Sequence, residues 1–356
     1  MADKSANPSG AAGRAPVADQ PAAIRNVVLV GHTGAGKTTL VESLLVATGT
    51  VTRAGRVEDG TTVSDFDEAE LRQQRSVSLS LALPGTLPLR DFDEMVAICQ
   101  RVFGDGVLPL YLPLHADDGT AAGLIGLLSQ QVYDYSGGKR EERAPDPEHL
   151  PLIENARNAL IEGVIAESED ESLMDRYLSG EDIETDVLIK DLETAVARGS
   201  FYPVLGAALT PEGLGTAELL EVITQAFPSP LEHEIPPVTT PDGKPKGPLT
   251  CDPAGPLVAE VVKTTSDPYV GRISLVRVFS GTLRPDATVH VSGHGMAGRG
   301  HEDHDVDERM GALSSPLGKA QRTVSQAIAG DLVAVAKLTR AETGRASCRE
   351  RVLRLV

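Results

Sequence analysis

The feature that most constrains the fold is a glycine-rich turn, Gly-His-Thr-Gly-Ala-Gly-Lys-Thr, at residues 31–38. An apolar run at residues 26–30 precedes it and predicts a buried strand, while residues 39–45 have the apolar spacing of a helix. Glycines let successive backbone N–H groups point at phosphate oxygens, and a helix N-terminus adds a favourable dipole. This order of strand, loop and helix predicts an α/β domain that binds a nucleotide.

The two polar side chains of the motif have distinct expected roles. Lys37 would reach the β- and γ-phosphates, and the Thr38 hydroxyl would bind Mg²⁺. The motif by itself does not choose between GTP, ATP and kinase chemistry. The predicted nucleotide-binding residues of the loop and the helix start are Gly31, His32, Thr33, Gly34, Ala35, Gly36, Lys37, Thr38 and Thr39.

The formal net charge of −18 is concentrated in one segment. Residues 144–235 carry 20 acidic and 4 basic side chains, which leaves only −2 for all other residues. Bulk acidity disfavours a protein that coats nucleic acid, although it does not exclude local contacts with RNA. The apolar spacing of this segment predicts three helices, at about residues 149–168, 170–180 and 184–198. We interpret the carboxylates as solvated helix faces; an acidic docking surface for a basic partner is the alternative.

The rest of the chain is organised by turns and by a linker. Two apolar runs around an Asp-Asp-Gly turn predict a hairpin at residues 107–135. Residues 228–255 are rich in proline and glycine and predict a linker. After it, four short strand-like runs separated by turns predict a small β-barrel, at residues 257–265, 271–281, 287–293 and 331–338.

The cysteine pattern and the hydropathy bear on the cellular compartment. Three widely spaced cysteines, Cys99, Cys251 and Cys348, argue against a disulfide framework and for a reducing setting. No apolar run approaches the roughly 20 residues of a membrane span, and residues 1–22 lack the apolar core of a signal peptide. The sequence therefore predicts a cytoplasmic protein with a flexible N-terminal tail.

Beyond the phosphate loop, the sequence resembles elongation factor G, the ribosomal translocase GTPase, and its elongation factor G-like relatives. GHTGAGKTTLVESLL is close to that family's loop, and SDFDEAELRQQRSVSLS, at residues 64–80, is similar to its first switch. Residues 91–227 resemble the end of its GTPase domain with the inserted subdomain, and residues 256–343 resemble its second domain. The resemblance implies an α/β P-loop GTPase domain with a helical and hairpin insert, followed by a small antiparallel β-barrel.

This resemblance divides the chain into six parts. They are a disordered tail at 1–22, the N-terminal part of the GTPase domain at 23–90, its end with the insert at 91–227, a linker at 228–255, a β-barrel at 256–343 and a non-native tail at 344–356.

The resemblance also implies ligands and partners. It implies GTP and Mg²⁺ as cofactors, with Ser78 in the place of a switch threonine, so the expected metal ligands are Thr38 and Ser78. Gly206-Ala207 replaces the family's Ser-Ala, so Ala207 would back the guanine; an ordinary strand-to-loop turn is an equal alternative. The implied partner is the ribosome, through rRNA and ribosomal proteins. No membrane or DNA partner is expected, and the chain is expected to be a monomer.

Two motifs of that family have no counterpart in their expected places. One is the second switch, D-x-x-G, whose Asp supports Mg²⁺ through water; the other is N-K-x-D, whose Asp pairs with guanine. None of the four asparagines precedes a lysine. The two D-x-x-G strings, at residues 134–137 and 252–255, fall in the insert and the linker. No catalytic residue is assigned.

We interpret the missing motifs as an internal deletion between about residues 83 and 91. SLSLA is followed closely by DFDEM, which resembles the helix after N-K-x-D. The lost piece would include the strands on both sides of residues 27–30, whose backbone groups would cost roughly 1–3 kcal/mol each if buried without partners. The sheet is thus expected to be incomplete, and GTP binding to be weak with little preference over ATP.

The last residues are a second place where the sequence differs from the pattern of that family. A basic stretch, Arg-Ala-Ser-Cys-Arg-Glu-Arg-Val at residues 345–352, abruptly follows a neutral segment and resembles the translation of a sequencing-library adapter. We predict that residues 344–356 are not authentic; finding the same codons in the genome would refute this.

The function that the sequence favours is that of a GTPase of the elongation factor G type, defective in this chain. The alternative is a non-catalytic fragment that binds the ribosome or another protein. A product of defective assembly that is never made, and an unrelated P-loop kinase, are more distant alternatives.

Overall fold

A computed structural model describes residue 15 and residues 17–30, 35–65, 70, 92–168, 170–181, 183–207, 213–239, 244, 247–267, 271–292, 305–341, 346–348 and 354–355. The described residues fall into two units. Unit 1 lies within Val27–Pro228, and unit 2 lies within Ala11–Asn26 and Ser229–Val356. The change of unit at residue 228 coincides with the start of the predicted linker.

Unit 1 combines helices with two small sheets. Strands β1 and β6 form a parallel pair, and strands β2, β3, β4 and β5 form an antiparallel sheet in that order. The described elements are α1 (Lys37–Ala47), α2 (Phe92–Phe103), β1 (Val107–Pro109), β2 (Tyr111–His115), β3 (Ala121–Gly126), β4 (Val132–Asp134), β5 (Glu141–Arg143), α3 (Leu150–Ala166), α4 (Glu171–Leu178), α5 (Thr185–Arg198), β6 (Tyr202–Val204) and α6 (Thr216–Ala226).

The three helices predicted in the acidic segment are confirmed as α3, α4 and α5, and local chemistry explains their ends. The Asp170 carboxylate accepts a hydrogen bond from the Ser172 N–H and caps α4, while Gly199, with φ of 72°, ends α5. Their apolar stripes meet in the core of unit 1, where Leu160, Leu188 and Phe201 are almost completely buried. The predicted hairpin is also confirmed, as the β2–β3 pair.

A buried carboxylate joins the hairpin sheet to α6. Glu218 has no exposed surface; it accepts hydrogen bonds from the Tyr135 hydroxyl at 2.9 and 3.2 Å and from Arg140 Nε at 2.9 Å. Arg140 also donates to Glu221 at 3.0 Å, and its guanidinium lies 4.3 Å from the centre of the Tyr133 ring. Burial, and then the Glu218 charge, raise the pKa of Tyr135 well above its usual value, so the phenol stays a donor.

We expect Glu218→Ala to lower the free energy of unfolding of unit 1 by about 3 kcal/mol, because Arg140 and Tyr135 lose a buried partner. Circular dichroism at increasing urea concentration follows this, since all described α-helices lie in unit 1. Glu154→Ala, at an exposed position of α3, is the matched control and should cost less than about 0.5 kcal/mol. Equal effects of the two substitutions would show that the Glu218 contacts do not hold the sheet to α6.

The predicted buried strand at residues 27–30 is wrong. These residues form no strand, and Val28 and Val30 are 67% and 51% exposed. Asn26, at the start of the predicted strand, instead donates to the Gly330 carbonyl within unit 2 at 2.9 Å. A parallel strand needs hydrogen-bonded neighbours and covered faces. No strand in the described part of the chain pairs with residues 27–30, and the apolar pattern alone does not place a strand there.

Unit 2 is built on an eight-stranded antiparallel sheet with the order β12-β11-β17-β8-β9-β16-β13-β14. The four strand-like runs predicted from the sequence are confirmed as β8, β9, β11 and β16. The described elements are a 3₁₀ turn (Pro21–Ala23), β7 (Val238–Thr239), β8 (Val258–Asp267), β9 (Gly271–Ser280), β10 (Thr282–Leu283), β11 (Thr288–Ser292), β12 (Asp305–Arg309), β13 (Leu313–Leu317), β14 (Ala320–Val324), β15 (Ala327–Ile328), β16 (Leu332–Ala336), β17 (Ala346–Cys348) and β18 (Arg354–Leu355).

The core of unit 2 follows from strand alternation. Along β9 every second residue is buried, including Val276 and Val278, so one face of the sheet packs on the core. Ala15 is buried in the same core, and Pro21 is buried as well. The prediction of a disordered tail through residue 22 is therefore corrected for these residues, because their small apolar side chains pack on unit 2.

Strand β17 falls in the segment for which a non-native origin is predicted. It lies between β11 and β8 and pairs antiparallel with both. A three-residue ladder depends mainly on backbone groups and is compatible with many sequences. The non-native origin of residues 344–356 thus stays a prediction.

Candidate functional site

The described half of the phosphate loop forms the start of α1. Gly36 precedes the helix with φ of 74°, a left-handed conformation that glycine adopts without strain. Lys37, Thr38 and Thr39 then occupy the first helical turn, where backbone N–H groups lack intrahelical partners, while Ala35 is 1% exposed and anchors the turn. A cationic side chain beside these N–H groups suits an anion such as a phosphate. Gly31, His32, Thr33 and Gly34 lie outside the described residues.

Thr38 lies beside an acidic residue that the sequence reasoning missed. Its hydroxyl donates to the Asp65 carboxylate at 3.2 Å, and Asp65 is only 3% exposed. Asp65 belongs to the segment that resembles the first switch, but four acidic residues stand within residues 65–70, and the sequence gives no basis for choosing one. The structure places Asp65 at Thr38, because the loop after α1 returns to the start of that helix.

The residues present fit a magnesium ion. A threonine hydroxyl and a buried carboxylate are hard oxygen ligands, the kind that Mg²⁺ prefers, and the aspartate supplies negative charge. Mg²⁺ commonly keeps several waters and takes one or two protein ligands together with substrate phosphates. Ser78, the second metal ligand predicted from the sequence, lies outside the described residues.

Ala207 lies in the last part of the sequence of unit 1, far along the chain from the phosphate loop. It follows β6 directly, and the loop packs tightly on the start of α6: a Cβ on Gly215 would lie 2.7 Å from the Gly206 carbonyl oxygen and 2.9 Å from the Ala207 Cα. Gly215 has φ of 81°, so glycine is required there for two reasons. Helix α6 in turn lies beside α1. Both interpretations of Ala207, guanine backing and an ordinary turn, are compatible with this placement.

The two D-x-x-G strings each form a local turn, away from Thr38 in the sequence. Asp134 lies in β4, accepts from the Ser136 N–H at 2.9 Å and pairs with Arg143. Asp252 belongs to unit 2, in a turn that the Gly255 N–H closes on the Asp252 carbonyl. In both strings the aspartate is part of a local turn.

No helix in the described part of the chain is both long and apolar enough to cross a membrane.

Comparisons with known families match two parts of the chain. The elongation factor Tu GTP-binding domain matches residues 22–83, and elongation factor G domain 2 matches residues 256–346. The first match ends where the sequence predicts the start of a deletion. The described β17, Ala346–Cys348, begins at the last residue of the second match.

Two curated relatives give the similarity over longer stretches. An elongation factor G-like protein of Mycobacterium tuberculosis is 49% identical over 416 aligned positions, which cover 97% of this chain and 57% of the relative. A second, from Thermotoga maritima, is 31% identical over 257 positions, covering 71% of this chain and 34% of the relative. The chain thus spans little more than half the length of the curated relatives that it matches.

The first alignment contains more positions than the chain has residues. With 416 positions against 356 residues, at least 60 positions of the Mycobacterium tuberculosis relative have no counterpart here.

A solved structure supports the relationship at the level of the fold. A crystal structure of a Thermus thermophilus protein superposes with a TM-score of 0.73 at 27% sequence identity, covering 92% of this chain and 54% of that one. Together with a nucleotide-type loop at the start of α1 and an antiparallel sheet domain after the linker, these matches assign the family. The chain belongs to the elongation factor G-like family of translational GTPases.

Proposed function

We propose that this chain is a GTP-binding translation factor of the elongation factor G type whose nucleotide site is incomplete. The observation that carries the proposal is the first turn of α1, where Lys37 follows Gly36 and the Thr38 hydroxyl lies 3.2 Å from the buried Asp65 carboxylate. This arrangement offers backbone N–H groups and a cation to phosphates and oxygen ligands to a metal. It supports nucleotide binding independently of the family matches.

Each residue has a defined task in this proposal. The loop of residues 31–36 and the first turn of α1 would hold the phosphates through backbone N–H groups, and Lys37 would neutralise their charge. Thr38, Asp65 and Ser78 would hold Mg²⁺ directly or through water, and Ala207 would lie against the base. When bound, Mg²⁺ supplies neutralisation of the charge on the β- and γ-phosphates. No residue of the chain is assigned to orient the attacking water.

The proposed defect rests on three observations. The match to the GTP-binding domain ends at residue 83, and at least 60 positions of a relative have no counterpart. In addition, Val27, Val28 and Val30 are exposed where the sequence pattern predicts a buried strand. One internal deletion after residue 83 accounts for all three. It would remove the second switch and the guanine-recognition motif together.

The proposed partner is the ribosome, and the proposed compartment is the cytoplasm. The support for both is the match of residues 256–346 to elongation factor G domain 2, together with the antiparallel sheet that these residues form.

A second candidate function is that of a non-catalytic fragment that binds the ribosome or another protein through unit 2. The exposed Val28 and Val30 favour it, because a buried strand expected in unit 1 does not form, whereas unit 2 contains an eight-stranded sheet. Ribosome-stimulated, multiple-turnover GTP hydrolysis separates the two candidates, since only the first supports it.

We expect Lys37→Ala to weaken GTP binding about 10- to 100-fold, because a hydrogen-bonded charge contact with the phosphates is lost. Fluorescence of a labelled GTP analogue, titrated with the purified chain, measures the change. Lys190→Ala, an exposed lysine on α5, removes the same charge from unit 1 and is the control. Equal affinities of the two variants would mean that the nucleotide does not bind at this loop.

A further inference from the structure

Glu42 is a charged residue in a place where α1 should be apolar. It is 1% exposed, and it is the one fully buried residue of that helix, since even Leu44 and Leu45 are only half-buried. An ionised carboxylate is rarely buried unless it is hydrogen-bonded, because its desolvation is costly. The position of Glu42 therefore needs partners that compensate for this cost.

The partners are two backbone N–H groups from the loop after α1. Glu42 Oε2 accepts from the Gly55 N–H at 2.7 Å, and Oε1 accepts from the Val63 N–H at 2.6 Å. These are short, charge-assisted hydrogen bonds, and each carboxylate oxygen holds one end of the segment at residues 55–63. Glu42 thus clamps both ends of this segment to the middle of α1.

The clamped segment is itself closely packed. A Cβ on Gly55 would lie 2.3 Å from the Thr61 carbonyl oxygen, so the two ends of the segment touch. The Arg56 N–H donates to the Thr61 hydroxyl at 2.9 Å, and the Gly60 N–H donates to the Val57 carbonyl at 3.1 Å. A segment closed in this way moves as one piece, so its attachment to Glu42 sets the position of the residues next along the chain.

Asp65 stands two residues after Val63, at the exit of the clamped segment. Its carboxylate reaches the hydroxyl of Thr38, which lies four residues before Glu42 on α1, at 3.2 Å. The two contacts therefore lie one helical turn apart on α1, and residues 63–65 bridge them. If the Val63 contact is lost, the attachment nearest to Asp65 in the sequence is lost with it.

We propose that Glu42 is a positioning residue for the metal site: it holds residues 55–63 against α1 and so places the Asp65 carboxylate beside Thr38. This inference rests on the proposed function for the metal, but the clamp itself does not. The carboxylate is needed for its two acceptors. Glutamine keeps one acceptor and replaces the other by an NH₂ group, which cannot accept from a backbone N–H.

The first test measures the clamp without nucleotide. Hydrogen exchange of the full chain is followed by mass spectrometry in the wild type and in the E42Q and D65N variants. E42Q should speed exchange in peptides covering residues 55–63 at least about tenfold. D65N should leave these peptides unchanged, because both Glu42 contacts remain and an asparagine oxygen can still accept from the Thr38 hydroxyl. E58Q, at an exposed position of the same segment, is the control. Wild-type exchange in E42Q would overturn the clamp.

The second test measures the coupling between Mg²⁺ and nucleotide. The affinity of a fluorescent GDP analogue is compared with excess Mg²⁺ and with a chelator, in the wild type, E42Q, D65N and the double variant. E42Q should remove most of the gain in affinity that Mg²⁺ gives and leave the Mg²⁺-free affinity within about twofold. The double variant should show no further loss beyond D65N. An equal loss with and without Mg²⁺, or additive losses, would show that Glu42 serves stability alone.

The two tests separate failure of the inference from failure of the proposed function. If the wild-type chain responds to neither GDP nor Mg²⁺, the proposed function fails, and the metal-positioning role fails with it. The exchange pattern still decides whether Glu42 holds the segment. If Mg²⁺ coupling is present in the wild type and intact in E42Q, the positioning role alone is wrong.

Discussion

Inserting the segment that we propose is missing is expected to raise the affinity of this chain for GTP at least about 100-fold. The segment is the part of the Mycobacterium tuberculosis relative that lies between its counterparts of residues 83 and 91. Two effects combine. Strands beside residues 27–30 fix the loop after them, and the second switch and the guanine motif add hydrogen bonds, each worth about 1.5–3 kcal/mol where a charge is involved. Titration with a fluorescent GTP analogue measures the gain.

We expect the same insertion to raise the free energy of unfolding of unit 1. Val28 and Val30 are more than half exposed, and burying a valine contributes about 1.5–3 kcal/mol relative to leaving it in water. An insert of equal length made of glycine and serine is the matched control and should change neither affinity nor stability in this direction. The contrary result is that the polar insert raises the GTP affinity and the stability of unit 1 as much as the natural segment does. That result would show that the chain does not lack strands of the sheet.

The second large effect concerns the choice of base. The unmodified chain should bind GTP and ATP with affinities within about threefold of each other, both weaker than about 100 μM. Sites that hydrogen-bond a specific group of a ligand reject analogues without it by about 10⁴-fold or more, and this chain has no N-K-x-D aspartate to do so. The residues proposed to hold the phosphates, Lys37 and Thr38, would meet the same groups in both nucleotides. Competition of unlabelled GTP and ATP against one fluorescent nucleotide gives the ratio.

Local patterns in the sequence predicted the elements that depend on local physics. Helices α3, α4 and α5 carry their own apolar stripes, a capping aspartate at Asp170 and a terminating glycine at Gly199. The runs that became β8, β9, β11 and β16 alternate or are bounded by turn residues, and they pair in antiparallel ladders. Apolar stripes, caps and turn residues lie within the segment that they shape, so they predict it even where another part of the chain is missing.

The features that depend on distant partners were not predictable in the same way. Residues 27–30 have the composition of a buried strand, yet a strand forms only with neighbours, so the pattern gave the wrong result. Val27, Val28 and Val30 are exposed, so these residues do not have the buried position for which the penalty on unpaired backbone groups is expected. The burial of their side chains is lost instead.

The candidate site shows the same limit. Gly36, Lys37 and Thr38 were identified by a motif whose spacing encodes their chemistry. Asp65 and Glu42 were missed, because an acidic residue in a loop or on a helix looks solvated until the chain folds back on it. Their roles arise from the return of residues 55–65 to α1, which brings Asp65 to Thr38 and two backbone N–H groups to Glu42.

The central claim is that this chain keeps a phosphate-binding turn but lacks the parts that recognise guanine and complete the sheet. Isothermal titration calorimetry of the purified, unmodified chain with GTP and, separately, with ATP tests it most directly. We predict weak binding of both nucleotides, with nearly equal dissociation constants. A micromolar or tighter dissociation constant for GTP, together with a strong preference over ATP, would contradict the claim.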